Sequence, residues 1–212
     1  MGLATTIKNS LLSMLMSDHF VDHHRRSKRT LALTFDDGPD PIYTPMVLDI
    51  LRAQGVTATF FMIGERAERH PEIVKRMVSE GHEVGNHAYR HIKFAKLPLQ
   101  NQLAEIAQTD RLLSRCDGRQ WHWFRPPQGK LPFRLLLALL KKRHGIAMWS
   151  YDSLDYKKQD LGSVLSRFAI TPVRGGDVVL FHDDNDVTVA ALRQLITKWR
   201  TEGYRFDLLQ PP

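Results

Sequence analysis

The sequence predicts a parallel α/β fold, an open sheet or a barrel, on two observations. Apolar strand candidates alternate with helix candidates about seven times from residue 30 onward. A polar cluster also follows directly on five of those strand candidates. In parallel barrels, chemistry gathers at the C-terminal ends of strands.

The elements follow in order. The first strand candidate, Leu31–Phe35, ends in Asp36 and Asp37, with Gly38 and Pro39 behind them. A helix over Thr44–Gln54 places Val47, Leu48 and Leu51 on one face and has Gly55 as a C-cap. Val56–Met62 is the second strand. Pro71–Glu80 is a helix opened by proline at its first position and closed before Gly81. Strand three, Glu83–Asn86, runs into His87 and His91. A long helix over Leu97–Arg115 carries Leu99, Leu103, Ile106, Leu112 and Leu113. Trp121–Arg125 is strand four and ends at Arg125. Pro132–Arg143 is a leucine-rich helix. Strand five, Ile146–Ser150, leads into Asp152 and Asp155. Helices over Leu161–Ile170 and Val187–Thr201 flank strand six, Val178–Phe181, which ends at His182. Tyr204–Leu208 is the last strand.

At 212 residues, the chain is long enough for one domain with a sizeable core. Its 42 % hydrophobic and 25 % charged content is that of a globular protein, and no apolar run is long enough to span a bilayer. The formal charge of +7 favours acidic surroundings: nucleic acid, an anionic membrane surface or a phosphorylated substrate. No nucleic-acid recognition motif accompanies the charge, so none is expected as a partner. Cys116 is the only cysteine, which excludes an intrachain disulfide. Residues 1–20 make a poor secretory signal, so the expected location is cytoplasmic, with peripheral contact to the inner membrane as an alternative.

Two adjacent carboxylates repel each other unless something uses their closeness. His87 and His91 are four residues apart, so one helical turn would present both imidazoles on one face. With one carboxylate they make a three-ligand site open to water, suited to zinc or a similar divalent ion. One aspartate would ligate the ion while the other takes a proton from its water. His182 would be the general acid. Arg125 would hold the free aspartate ionised, and Asp155 would favour the imidazolium of His182. His19 and His23 share the same spacing but precede the first strand in a polar, basic segment; they are expected to be surface residues.

The stretches "TFDDGP", "HAYRH", "FRPPQG", "WSYDSLDY" and "LFHDD" resemble, in order, the five motifs of the polysaccharide deacetylases, carbohydrate esterase family 4. The resemblance runs from about Thr30 to the C-terminus. It divides the chain into a helical and basic extension, residues 1–29, and a catalytic domain, residues 30–212. It implies a distorted (β/α) barrel of about seven parallel strands, with metal-dependent removal of N-acetyl groups from an N-acetylated sugar. By position, it makes Asp36 the base, His182 the acid, and Asp37, His87 and His91 the metal ligands. Arg125 would orient the base and Asp155 tune the acid. Pro126, Gln128, Trp149, Tyr156 and Leu180 would contact substrate, Gln128 through its backbone N–H. The cofactor would be one divalent ion, zinc, with cobalt or nickel as substitutes.

Three departures from the family pattern are visible: Ala88 where Ser or Thr is usual, Gln128 for an aromatic, and Tyr156 for Trp. The lost hydroxyl at Ala88 predicts weaker metal binding. Deformylation, O-acetyl esterase activity and non-catalytic sugar binding are the competing readings on the same fold. Leu3, Ile7, Leu11, Met14 and Leu15 share one helical stripe, followed by "HHRRSKR". That segment either closes the bottom of the barrel or contacts a membrane or lipid-linked sugar.

Overall fold

The structure, a computed structural model, describes residues 20–23, 29–91, 93–157 and 160–209. The stripe expected over residues 3–15, and His19, lie outside them.

The strands are β1 (Phe20–Val21), β2 (Thr30–Asp36), β3 (Thr59–Met62), β4 (Glu83–Asn86), β5 (Ile146–Ala147), β6 (Tyr151–Asp152), β7 (Val178–His182) and β8 (Arg205–Phe206). The helices are α1 (Tyr43–Gln54), α2 (Gly64–Arg69), α3 (Pro71–Ser79), α4 (Leu99–Asp117), α5 (Phe133–Lys141), α6 (Leu161–Ile170) and α7 (Asp186–Thr201). All six pairings between these strands are parallel, with hydrogen-bonded order β4-β3-β2-β7-β6, β8 beside β2, and β1 beside β5. Phe124 bridges Asn86 on one side and Ile146 on the other, so it carries the sheet from β4 to β5. The chain from β5 through β6 then returns to β7, and the ring closes as a distorted barrel.

Three expectations need correction. Trp121–Arg125 is not a strand; only Phe124 pairs. Pro126 and Pro127 follow at once, and a residue without an N–H cannot extend a ladder. The short helix α2, before Pro71, was not expected. No strand was expected ahead of Thr30 either, yet Phe20 is 3 % exposed and β1 lies in the sheet beside β5.

Alternation along β2 explains how the barrel is filled. Leu31, Leu33 and Phe35 point outward into the main core, against Phe60, Val179, Phe181 and residues of α1 and α7. Ala32 points inward with Phe61, Trp123, Ala147, Val178 and Leu209. Thr34 and Asp36 continue that inner row. Because Ala32 and Thr34 are small, a large side chain can enter from another strand, and Arg125 fills the space. The helices are capped locally: Asp160 accepts from Ser163 N, and Asn185 from Thr188 N. No helix among the described residues is long and apolar enough to cross a membrane.

Candidate active site

Register places the key groups. Asp36 lies opposite Phe61 of β3 and His182 of β7, so its carboxylate and the His182 imidazole stand on adjacent strands at the same end of the barrel. Around them is a cleft of about 420 Å³ lined by Asp36, Asp37, His87, His91, Gln128, Gly129, Trp149, Asp152, Tyr156, Leu180 and His182.

Arg125 lies beneath, fully buried. Its Nη1 donates to Asp36 Oδ1 and to Thr34 Oγ1, each at 2.8 Å, and its Nη2 to Met148 O at 2.8 Å. The guanidinium sits 4.0 Å from the Phe61 ring centroid. Asp36 Oδ1 is thereby committed. Burial raises the Asp36 pKa against the opposing charge and hydrogen bond of Arg125.

Asp37, His87 and His91 come together as the sequence analysis expected, but not through a helical turn. The loop after β4 is irregular, with Ala88 at φ 64°. Asp37 is itself at φ 74°. Left-handed backbone at non-glycine residues is costly and concentrates at functional sites. Asp37 Oδ1 is 3.5 Å from both His87 Nε2 and His91 Nε2. His87 Nδ1 donates to the Arg125 carbonyl at 2.7 Å, which leaves the Nε2 lone pair facing the cleft. Burial pushes the His87 pKa down to about 3, so the ring is neutral near pH 7.

These three residues fit a divalent ion. Their donor atoms lie within 4.8 Å of one another. Asp37 Oδ1 is buried without a hydrogen-bond partner among the described residues, an acceptor awaiting a cation. Two imidazoles and one carboxylate are the donor set of an open catalytic site.

On the opposite wall, Asp155 is 3 % exposed. Its Oδ1 accepts from His182 Nδ1 at 2.8 Å; its Oδ2 accepts from His182 N at 2.7 Å and from Thr188 Oγ1. Burial opposes ionisation of Asp155, but these bonds outweigh it and hold the carboxyl below its usual range. For His182, burial works against the charged form. The bond and charge of Asp155, with the charges of Asp36 and Asp37, overcome it and push the imidazole up to about 9. His182 Nε2 is the nitrogen left to face the cleft.

Of the expected substrate contacts, Gln128, Trp149, Tyr156 and Leu180 line the cleft. Pro126 does not: it is buried, preceding the short helical turn Pro127–Gly129, and its carbonyl accepts from Gly129 N. Gln128 has φ 58°, and the Trp149 ring packs where a Cβ on Gly129 would stand. The Tyr156 ring meets the His182 ring edge-on at 5.1 Å. His23 pairs with its neighbour Asp22 at 3.1 Å, away from this cleft.

Sequence reasoning missed the supports behind the site. Asp183 is fully buried, accepts from Thr44 Oγ1, and fills the space beside Gly38. Burial pushes it up to about 7 against the pull of Thr44. Arg66, on the unexpected helix α2, donates to the Asp37 carbonyl at 2.8 Å. Asn86 Oδ1 accepts from Ala88 N at 2.8 Å, and Asn86 Nδ2 donates to Asp110 Oδ1 at 2.7 Å. Asp110 is also met by His144 Nε2 at 3.0 Å, while His122 reaches Asp117. The loop that lacks a hydroxyl at Ala88 is thus braced from Asn86. The acid after His182 in "LFHDD" was the one visible signal; long-range partners such as Asp110 leave none.

A family model described as polysaccharide deacetylase matches residues 23–149. The chain is 37 % identical over 189 residues to a peptidoglycan-N-acetylglucosamine deacetylase of Bacillus cereus, covering 85 % of this chain and 86 % of that one. It is 31 % identical over 186 residues to a chitooligosaccharide deacetylase of Sinorhizobium fredii, covering 81 % and 86 %. Among solved structures, a peptidoglycan N-acetylglucosamine deacetylase in complex with 4-naphthalen-1-yl-N-oxidanyl-benzamide superposes with a TM-score of 0.86 at 34 % identity, covering 93 % of this chain and 94 % of that one.

Proposed function

This chain belongs to the polysaccharide deacetylase family, and from that premise we propose that it hydrolyses the acetamide of an N-acetylglucosamine-type glycan, releasing acetate and a free amine. The observation that carries the reading is the opposed pair across one cleft: a carboxylate oriented by a buried guanidinium, and an imidazole held protonated by a buried carboxylate.

Asp37, His87 and His91 would hold the divalent ion, which we assign as zinc, with cobalt or nickel able to replace it. Once bound, such an ion acidifies a water and polarises the acetyl carbonyl. Asp36 Oδ1 is tied to Arg125, so Oδ2, 3.8 Å from His87 Nε2, is the oxygen that takes the proton of the attacking water. The raised pKa of Asp36 makes it a stronger base than a surface aspartate. His182 Nε2 then gives a proton to the leaving nitrogen as the C–N bond breaks. Asp155 keeps that donor charged and fixes its ring. The backbone N–H of Gln128 would bind the developing oxyanion, and Trp149 and Leu180 would receive the acetyl methyl. Tyr156, half exposed at the rim, would lie against the sugar.

The test is product analysis. Chelator-treated protein should release no acetate from N-acetylglucosamine oligomers, and zinc or cobalt should restore release. Sugar binding with bound metal but no acetate would favour a non-catalytic carbohydrate-binding protein. Release of formate from an N-formyl sugar, or of acetate from an O-acetyl ester alone, would move the activity to those substrates.

A further inference from the structure

Residues 118–151 contain no Asp or Glu and carry seven Lys and Arg. The other 23 cations of the chain are matched by its 23 acids, so the whole formal charge of +7 belongs to this stretch. Two of the seven are committed within the fold, Arg125 to Asp36 and Arg119 to Glu83. The other five, Lys130, Arg134, Lys141, Lys142 and Arg143, are exposed, and none makes an ion pair among the described residues.

Arg134 and Lys141 share one face of α5, and the other three cations flank it in the chain. On α5, Leu135, Leu136 and Leu139 are buried, while Phe133 and Leu137 are 67 % and 50 % exposed. At 3.6 residues per turn, Phe133, Arg134, Leu137 and Lys141 fall within an arc of about 100°. Two large apolar side chains therefore stand outward beside Arg134 and Lys141, with Lys142 and Arg143 at the end of the helix. Gln128 and Gly129 line the catalytic cleft, and Lys130 follows them directly, so the basic segment begins at the cleft mouth.

We propose that this face docks on an anionic phospholipid bilayer, with Phe133 and Leu137 entering the headgroup boundary and Arg134 and Lys141, flanked by Lys130, Lys142 and Arg143, toward the lipid phosphates. Charge complementarity supplies most of the attraction, about fivefold in affinity per cation near an anionic surface. The apolar pair selects a bilayer over a soluble polyanion. Leu137 offers a nucleic acid or an acidic glycan neither a stacking plane nor a hydrogen bond, whereas a bilayer rewards both side chains. The docking is independent of the deacetylase reading, since binding is measured without turnover.

The test sediments the full chain with vesicles of phosphatidylcholine, alone or mixed with phosphatidylglycerol, at low and high salt. Wild type should bind the anionic vesicles and be released by salt. The Arg134→Glu/Lys141→Glu/Lys142→Glu variant should bind about a hundredfold more weakly or less. Phe133→Ser/Leu137→Ser should lose about tenfold. Neither variant should change the thermal midpoint or the activity on soluble oligomers. Failure of wild type to bind anionic vesicles, equal binding to neutral ones, or undiminished binding by the charge variant overturns the proposal. So does preference for RNA or alginate over vesicles. A lowered thermal midpoint in the apolar variant with unchanged vesicle binding would make the pair a seat for another part of this chain, and would overturn it too.

Discussion

Replacing Asp155 by Asn removes one charge behind the proton donor while keeping the size of the side chain. In the native protein His182 is pushed up to about 9: burial acts downward, and the bond and charge of Asp155 head the effects that overcome it. Without that charge burial acts against less opposition, and the ring falls to its ordinary 6.5 or below. A proton donor works only below its own pKa, so its contribution is lost as pH rises through that value. At pH 8 a donor at 9 is about 90 % protonated and one at 6.5 about 3 %, a loss of at least about thirtyfold; the loss shrinks as pH falls toward the variant's own pKa. The assay is kcat/KM on N-acetylglucosamine oligomers from pH 5 to 10, comparing the alkaline limbs of the two proteins. A divalent ion beside His182 lowers both limbs, so the reading is their separation. Asp155 touches no metal ligand, so the metal content of the variant should be unchanged. A uniform drop in rate with an unmoved alkaline limb would refute the linkage and reduce Asp155 to a packing residue.

Three further outcomes follow from the geometry. Asp36→Asn should bind metal as tightly as wild type by calorimetric titration, yet lose about 10²–10⁴ in kcat, because Asp36 is assigned the proton and not the ion. Asn86→Ala, which releases Ala88 N and leaves Asp110 without its amide donor, should weaken metal affinity about 10–100-fold; calorimetry reads this directly, and unaltered affinity would mean the loop is held elsewhere. Gly38→Ala would drive a methyl group onto the buried Asp183 carboxylate and should cost about 1–3 kcal/mol in denaturant unfolding, part of which returns in Gly38→Ala/Asp183→Ala.

The run "TLALTFDD" was legible because strand alternation is local. Its outward Leu and Phe, its inward Ala and Thr, and a terminal acid pair can all be read at a period of two. The same holds for α6, expected and found at Leu161–Ile170, where Asp160 supplies the cap. In Trp121–Arg125 only Trp123 to Arg125 bond to the neighbouring segments, at Asn86, Gly145 and Ala147, so the sheet contact is shorter than the apolar run, and Trp123 packs inward on Ala147 and Phe61. Asp40 Oδ1 accepts from the backbone N of Ile42 and Tyr43, each at 2.8 Å, at the turn into α1.

What the sequence determined by itself is the kind of chemistry present: two adjacent acids, a spaced histidine pair, an arginine, and a histidine with a distant acid, each at the end of an apolar segment. Residue type and local period are carried by neighbours in the chain, so they can be read there. Only the tertiary structure decided which atom of each group is free. Asp36 keeps Oδ2 because Arg125, 89 residues away, takes Oδ1; His87 keeps Nε2 because the Arg125 carbonyl takes Nδ1; His182 keeps Nε2 because Asp155 takes Nδ1. Those choices come from strand register and from hydrogen-bond partners remote in the chain, and burial, which sets the pKa values, exists only once the barrel has closed around them.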